Sequence, residues 1–205
     1  VTITAGQTSA DVVIPVLNDN LIESTETVVL TLASVSGNSS ITVAAAPANS
    51  ASLDITDNDV AASIAVNSGS PQGTVVNTAF ASPLVAIVRD SGGVALGGAS
   101  VTFTANGATA SGSFASSSTV LTNASGLATA PAFTANTVTG SYTVSASTPG
   151  VVPVTSFALT NTPAAASRFA VTAPANAVAG QAFNVTVTAR DAFDNTATGY
   201  AGTVR

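Results

Sequence analysis

Cysteine, histidine, methionine, lysine and tryptophan are all missing from this 205-residue chain. Without thiols or imidazoles, the usual ligands of zinc, copper, haem and iron–sulfur clusters are gone. Thiol nucleophiles, Ser-His-Asp machinery and lysine Schiff bases are excluded with them. The composition therefore points away from an enzyme. Disulfides are not the staple of this fold, which leaves the compartment open, because long bacterial surface proteins commonly lack them. The absence of lysine also rules out Lys–Asn isopeptide cross-links. Only four cationic residues, all arginine, stand against ten acids, for a net charge of −6. Such a chain builds no basic patch, so nucleic acid and anionic membrane surfaces are disfavoured as partners. No apolar run approaches the roughly eighteen residues of a membrane helix, so membrane insertion is not expected.

What is present is 46% apolar residues, mostly Ala and Val, with few aromatics. Period-2 alternation recurs in "ADVVIPVL", "TVVLTL", "ASLDI", "PLVAIV", "SVTFTA", "LATAPAFTA", "SYTVSAS", "VTSFALT", "SRFAVTA" and "AFNVTVTAR", the pattern of half-buried strands. In the first module Val12, Ile14, Val16, Val28, Leu30, Leu32, Leu53 and Ile55 form the inward set. Turn chemistry separates the runs, as in "NSGSPQG", "RDSGGVALGG", "TNASG", "STPG" and "DAFDN". No segment has the periodicity of an amphipathic helix. The fold class expected is all-β, with tandem immunoglobulin-like β-sandwich modules. "DITDNDVAA" and "LTNTPAAASRFAV" mark boundaries, giving modules at 1–60, 61–163 and 164–205. The outer two fall short of the roughly 100 residues of a complete sandwich. The chain reads as an excerpt of a longer polypeptide whose terminal modules are incomplete.

The acids are unevenly spread. Seven of the ten lie in the first sixty residues, three of them within "DITDND", Asp54 to Asp59. A second run, "VLNDNLIESTE", carries Asp19, Glu23 and Glu26. Oxygen ligands at this density suit calcium, which takes six to eight oxygens from carboxylates, Asn side chains and carbonyls. The competing reading is a set of solvated loop acids that keep edge strands soluble.

The stretch "VTITAGQTSADVVIPVLNDNLIESTETVVLTL … ASLDITDND" resembles the C-terminal part of a Calx-β domain. The features that carry the resemblance are the AGxTS turn at Ala5, Gly6, Thr8 and Ser9, the "PVLND" strand end, E-x-x-E and the closing DxD. In calcium-binding members these positions coordinate the ion. The resemblance therefore implies a calcium site at Asn18, Asp19, Glu23, Glu26, Asp57, Asn58 and Asp59. Asn18 and Asn58 stand where strong binders carry Asp, which lowers the charge of the site. Residues 61–163 resemble bacterial immunoglobulin-like repeats of the invasin/intimin type, through "NTAFASPLVAIVRDSGGVALGGASVTFTA", "TNASGLATAPAFTAN" and "GSYTVSAS". Residues 164–205 look like the opening half of another such repeat. Arg89 and Asp90 read as a strand-end charge pair facing water. Tyr142 reads as a buried ring whose hydroxyl bonds a nearby backbone group. Asp191, Asp194 and Asn195 read as an Asx-rich turn.

These resemblances imply a structural or adhesive stalk segment of a large secreted or cell-surface bacterial protein or fibre, with calcium-stabilised modules. Its first partners would be neighbouring modules of the same chain, with a homopolymer by strand complementation as a further possibility. The alternative is a carbohydrate-recognition module of a secreted protein, which would need exposed aromatics for stacking on sugar rings.

Overall fold

The computed structural model describes residues 1–38 and 40–204. Among the described residues there is no helix, and fourteen strands carry the fold. In chain order they are β1 (Glu26–Thr31), β2 (Ser50–Ile55), β3 (Ser63–Ser68), β4 (Gln72–Val75), β5 (Val85–Arg89), β6 (Ser100–Ala105) and β7 (Gly112–Phe114). There follow β8 (Thr119–Leu121), β9 (Leu127–Thr129), β10 (Phe133–Ala135), β11 (Gly140–Ser147), β12 (Thr155–Thr162), β13 (Arg168–Thr172) and β14 (Thr186–Arg190).

The centre of the chain is a β-sandwich. One sheet has the order β4-β12-β11-β6-β8, and the other has β3-β5-β9, with the short pair β10-β7 alongside. Alternation dictates the packing: in β11 the odd-numbered face is polar, while Tyr142, Val144 and Ala146 point inward and are buried. Val101 and Phe103 of β6 and Phe157 and Leu159 of β12 complete that wall. Leu84, Ala86 and Val88 close it from the other sheet. With no tryptophan to fill the interior, a run of rings does so. Phe157 lies 5.9 Å from Phe103, Phe114 lies 4.6 Å from Phe133, and Phe80 stacks on Phe133 at 5.7 Å. Such offset and tilted arrangements add to what area burial alone supplies.

Several runs depart from the alternation pattern. "LATAPAFTA" is two strands in two sheets: β9 pairs with β5 and β10 with β7, and Pro131 between them has no amide to continue a ladder. The "NSGSPQG" turn contains the start of β4, where the chain crosses from one sheet to the other and pairs in parallel with β12. Gly69 permits this crossing. Its φ is +89°, and a β-carbon there would lie 2.3 Å from the Pro83 carbonyl oxygen.

On the N-terminal side, β1 and β2 form a two-stranded antiparallel sheet with Val28 opposite Leu53. "ADVVIPVL" is not a strand. Pro15 interrupts its donors, and among the described residues no neighbouring strand runs beside it to complete a ladder. The expected inward set of this region is correspondingly unburied: Val12, Ile14, Val16, Leu30, Leu32 and Leu53 are exposed, and Val28 and Ile55 half-buried. The reason is that no second sheet packs on the pair among the described residues. On the C-terminal side, β13 and β14 likewise form a two-stranded sheet, and "AFNVTVTAR" is strand only in its second half.

Tyr142 corrects one expectation. Its ring is buried as the alternation requires, but its hydroxyl finds no hydrogen-bond partner among the described residues. Loss of solvent alone pushes its pKa up to about 12. A buried hydroxyl without a partner costs stability. Tyr142→Phe is therefore expected to leave the melting midpoint unchanged or to raise stability by up to about 1 kcal/mol, measured by urea titration. A loss of more than that would mean the hydroxyl has a partner.

Candidate metal site

Two loops create the concavity that the acids line. Residues 16–26 lead into β1, and residues 55–59 leave β2, so the pairing of Glu26 with Ile55 brings the two loops side by side. All seven residues of the expected calcium set, Asn18, Asp19, Glu23, Glu26, Asp57, Asn58 and Asp59, line one open concavity of about 310 Å³. Asp59 is half-buried and the other six are exposed.

Asp57 is the hinge of the arrangement. One of its oxygens accepts the Asp59 amide at 3.0 Å, and the other accepts the Glu23 amide at 3.1 Å, so it ties the loop after β2 to the loop before β1. These amides, Asp59 first, hold the Asp57 carboxyl below the usual carboxylate range. Asp19 accepts the Leu21 amide at 3.0 Å. Glu23 and Asp59 are shifted the other way. The Asp19 carboxylate, with partial loss of solvent and the charges of Glu26, Asp57 and Asp59, pushes the Glu23 carboxyl up. Partial burial, followed by the charges of Asp57, Asp19 and Asp90, pushes Asp59 up.

The linkage follows from these directions. Asp57 contributes stability above its unfolded value and loses it as pH falls through its lowered folded value. Glu23 and Asp59 contribute below their unfolded values, and that contribution is lost as pH rises through their raised ones. Near neutrality the concavity therefore holds unneutralised negative charge. The donor set is oxygen only, which suits a hard cation. Among the described residues, however, no three acidic side chains converge as a ready-made metal centre. The set fits calcium in chemistry, and closing on an ion would require side-chain rearrangement.

Arg89 and Asp90 are not the water-facing ion pair expected from their position. Arg89 donates to the Gly93 carbonyl at 2.9 Å, and Asp90 accepts the Val94 amide at 2.7 Å, so both brace their own turn. The same loop recurs after β14, where Arg190 donates to the Asp194 carbonyl at 2.6 Å and Asp191 accepts the Asn195 amide at 2.9 Å. Both loops touch the segment that precedes them in the chain. Gly97 bonds both ways with Asn20 and Ile22, each at 2.9 Å. Beside it, Gly98 has φ +72°, and a β-carbon there would lie 2.6 Å from the Ile22 carbonyl oxygen, so the close approach requires glycine at that position. Asn195 reaches Thr137 and Thr139. Asp191 is fully shielded rather than solvated. Burial pushes its carboxyl up, but hydrogen bonds from the Asn195 side chain and from the Ala164, Asn195 and Phe193 amides prevail, and it sits below the usual range. The Asx-rich turn was legible from composition; its reach across to residues 137–139 was not.

No protein-family model matches the chain, and no curated protein sequence does. Among solved structures, the D00-D0 domain of intimin superposes with a TM-score of 0.39 at 21% identity, covering 55% of this chain and 56% of that one. FdeC, an Escherichia coli adhesin, gives 0.41 at 18%, covering 74% and 48%. InvD of Yersinia pseudotuberculosis gives 0.42 at 14%, covering 88% and 64%. The chain thus spans about half the length of the first two structures. Identities and superpositions this low assign no family; the all-β architecture rests on the strands described above.

Proposed function

We propose that this chain is a structural, adhesive stalk segment of a large secreted or cell-surface bacterial protein or fibre, built from sandwich modules at 1–60, 61–163 and 164–205 and stiffened by calcium. The observation that carries the reading is that two separate loops, one entering β1 and one leaving β2, bring seven oxygen-bearing side chains to a single concavity. The modular division is supported by the central core, whose buried residues run from Phe80 to Leu159. The lack of any thiol, imidazole or amine nucleophile supports a mechanical rather than a chemical role.

Asn18, Asp19, Glu23, Glu26, Asp57, Asn58 and Asp59 would hold the ion, which would supply the positive charge that Glu23 and Asp59 lack. In this reading the primary partners are neighbouring modules of the same chain. The edges of the β1–β2 and β13–β14 pairs take further strands from adjoining polypeptide, or from another copy in a homopolymer by strand complementation.

Calcium titration calorimetry tests the site. Binding heat is expected near neutral pH and is expected to vanish in Asp57→Ala/Asp59→Ala. It should also fade as pH drops into the carboxylate range, since protonated ligands release the ion. Equal heats for the double variant would remove calcium from the proposal. A second reading, carbohydrate recognition, draws on Phe169 and Tyr200, which are partly exposed and meet edge-to-face at 5.1 Å. Retention of specific sugars on a glycan array, lost in Tyr200→Ala, would favour it.

A further inference from the structure

We propose that Asn195 is the pin that seats the segment after residue 163 on the central sandwich, making this junction a fixed joint rather than a hinge. The inference rests on the tandem-module reading above.

The argument starts from one side chain that serves both sides at once. The Asn195 oxygen accepts the Thr139 amide at 3.1 Å and the Thr139 hydroxyl at 3.4 Å. Its amide nitrogen donates to the Thr137 carbonyl at 2.9 Å and to the Asp191 carboxylate at 3.0 Å. Donor and acceptor thus meet a backbone acceptor and a backbone donor two residues apart, a match that a primary amide supplies from two separate atoms.

Both ends of this contact are pre-organised. On the near side, Asp191 has no exposure and collects the Phe193 and Asn195 amides at 2.9 Å each, which orient Asn195. Its other oxygen takes the Ala164 amide at 3.0 Å, so the linker itself is held by the same carboxylate. On the far side, Asn136 accepts the Val138 amide at 3.1 Å, and Asn161 donates to the Val138 carbonyl at 3.0 Å. The seat is therefore locked from beneath before Asn195 reaches it. The first junction places the equivalent loop against its own predecessor, through Gly97 rather than a side chain. The two joints share a position and differ in chemistry.

The chain has no cysteine, so Ser156→Cys with Thr186→Cys places two unique spin labels, one on each side of the junction. Pulsed electron–electron resonance on the full chain is expected to give a single narrow distance distribution, which broadens at least about twofold in Asn195→Ala. A broad distribution without the Asn195 change would overturn the pin by itself. Amide exchange provides the second measurement. In Asn195→Ala, Thr139 should lose protection by about tenfold while Phe193, bonded within its own turn, keeps it. Loss at both positions would show that Asn195 merely holds its own turn, and would overturn the pin. Absent protection at Phe157 and Leu159 would instead count against the sandwich reading, separately from the joint.

Discussion

Phe157→Ala is expected to destabilise the chain by about 4 kcal/mol. The ring is fully buried on β12, which runs between β4 and β11 in the larger sheet, and packs 5.9 Å from the Phe103 ring. Truncation removes the transfer energy of the ring and leaves a cavity that rigid strands on both sides cannot collapse to fill. The loss is large against the roughly 5–15 kcal/mol that holds a domain folded. Urea unfolding followed by circular dichroism should show the midpoint drop with little change in slope. A shift worth under about 1 kcal/mol would mean the interior repacks far more freely than a close-packed sandwich allows.

Asn161→Asp is expected to cost more than about 3 kcal/mol at neutral pH. Asn161 is 2% exposed, and its amide nitrogen faces three oxygens: the Ser111 carbonyl at 2.9 Å, Asn136 Oδ1 at 3.0 Å and the Val138 carbonyl at 3.0 Å. A carboxylate there donates nothing, repels all three and loses its own hydration. The folded state would hold such a group protonated, so its pKa would be raised above the unfolded value. The sign of the pH dependence follows: the penalty is small below the unfolded pKa of about 3.9 and grows as pH rises above it. Partial recovery of the melting temperature on acidification is the signature. A pH-independent deficit would mean that lost shape, rather than lost donation, sets the cost.

The strands of the centre were legible because each has one wet and one dry face. In "SVTFTA" the alternation gives Val101 and Phe103 inward, and both are buried. The same rule misleads for "ADVVIPVL". Alternation states which face would be buried, but a strand also needs a neighbour for its amides and carbonyls, and none runs beside this segment among the described residues. The meeting of the two acidic loops was expected only through the Calx-β resemblance; the pairing of β1 with β2 that brings them side by side was not read from the residues. Nor was the bond from Asp57 to the Glu23 amide, since it depends on the path of a loop. Asn136 and Asn161 carried no signal at all, and Asn195 read only as a member of an Asx-rich turn. Three uncharged polar residues in a chain rich in Ser, Thr and Asn acquire their roles only where the fold stacks loops from distant parts of the sequence.

The parallel pairing of β4 with β12 has a mechanical consequence. The two strands lie side by side and point the same way, with Gln72 opposite Leu159 and Val75 opposite Thr162. A pull that reaches β4 from its N-terminal side and β12 from its C-terminal side drives them past one another along their length. The bonds between them are then loaded together, in shear, instead of being peeled open one at a time. Rupture in that geometry requires several bonds to fail in concert, so the force needed rises with the number of bonds sharing it. The short edge strand that contributes little to the equilibrium core thus becomes the element that resists extension.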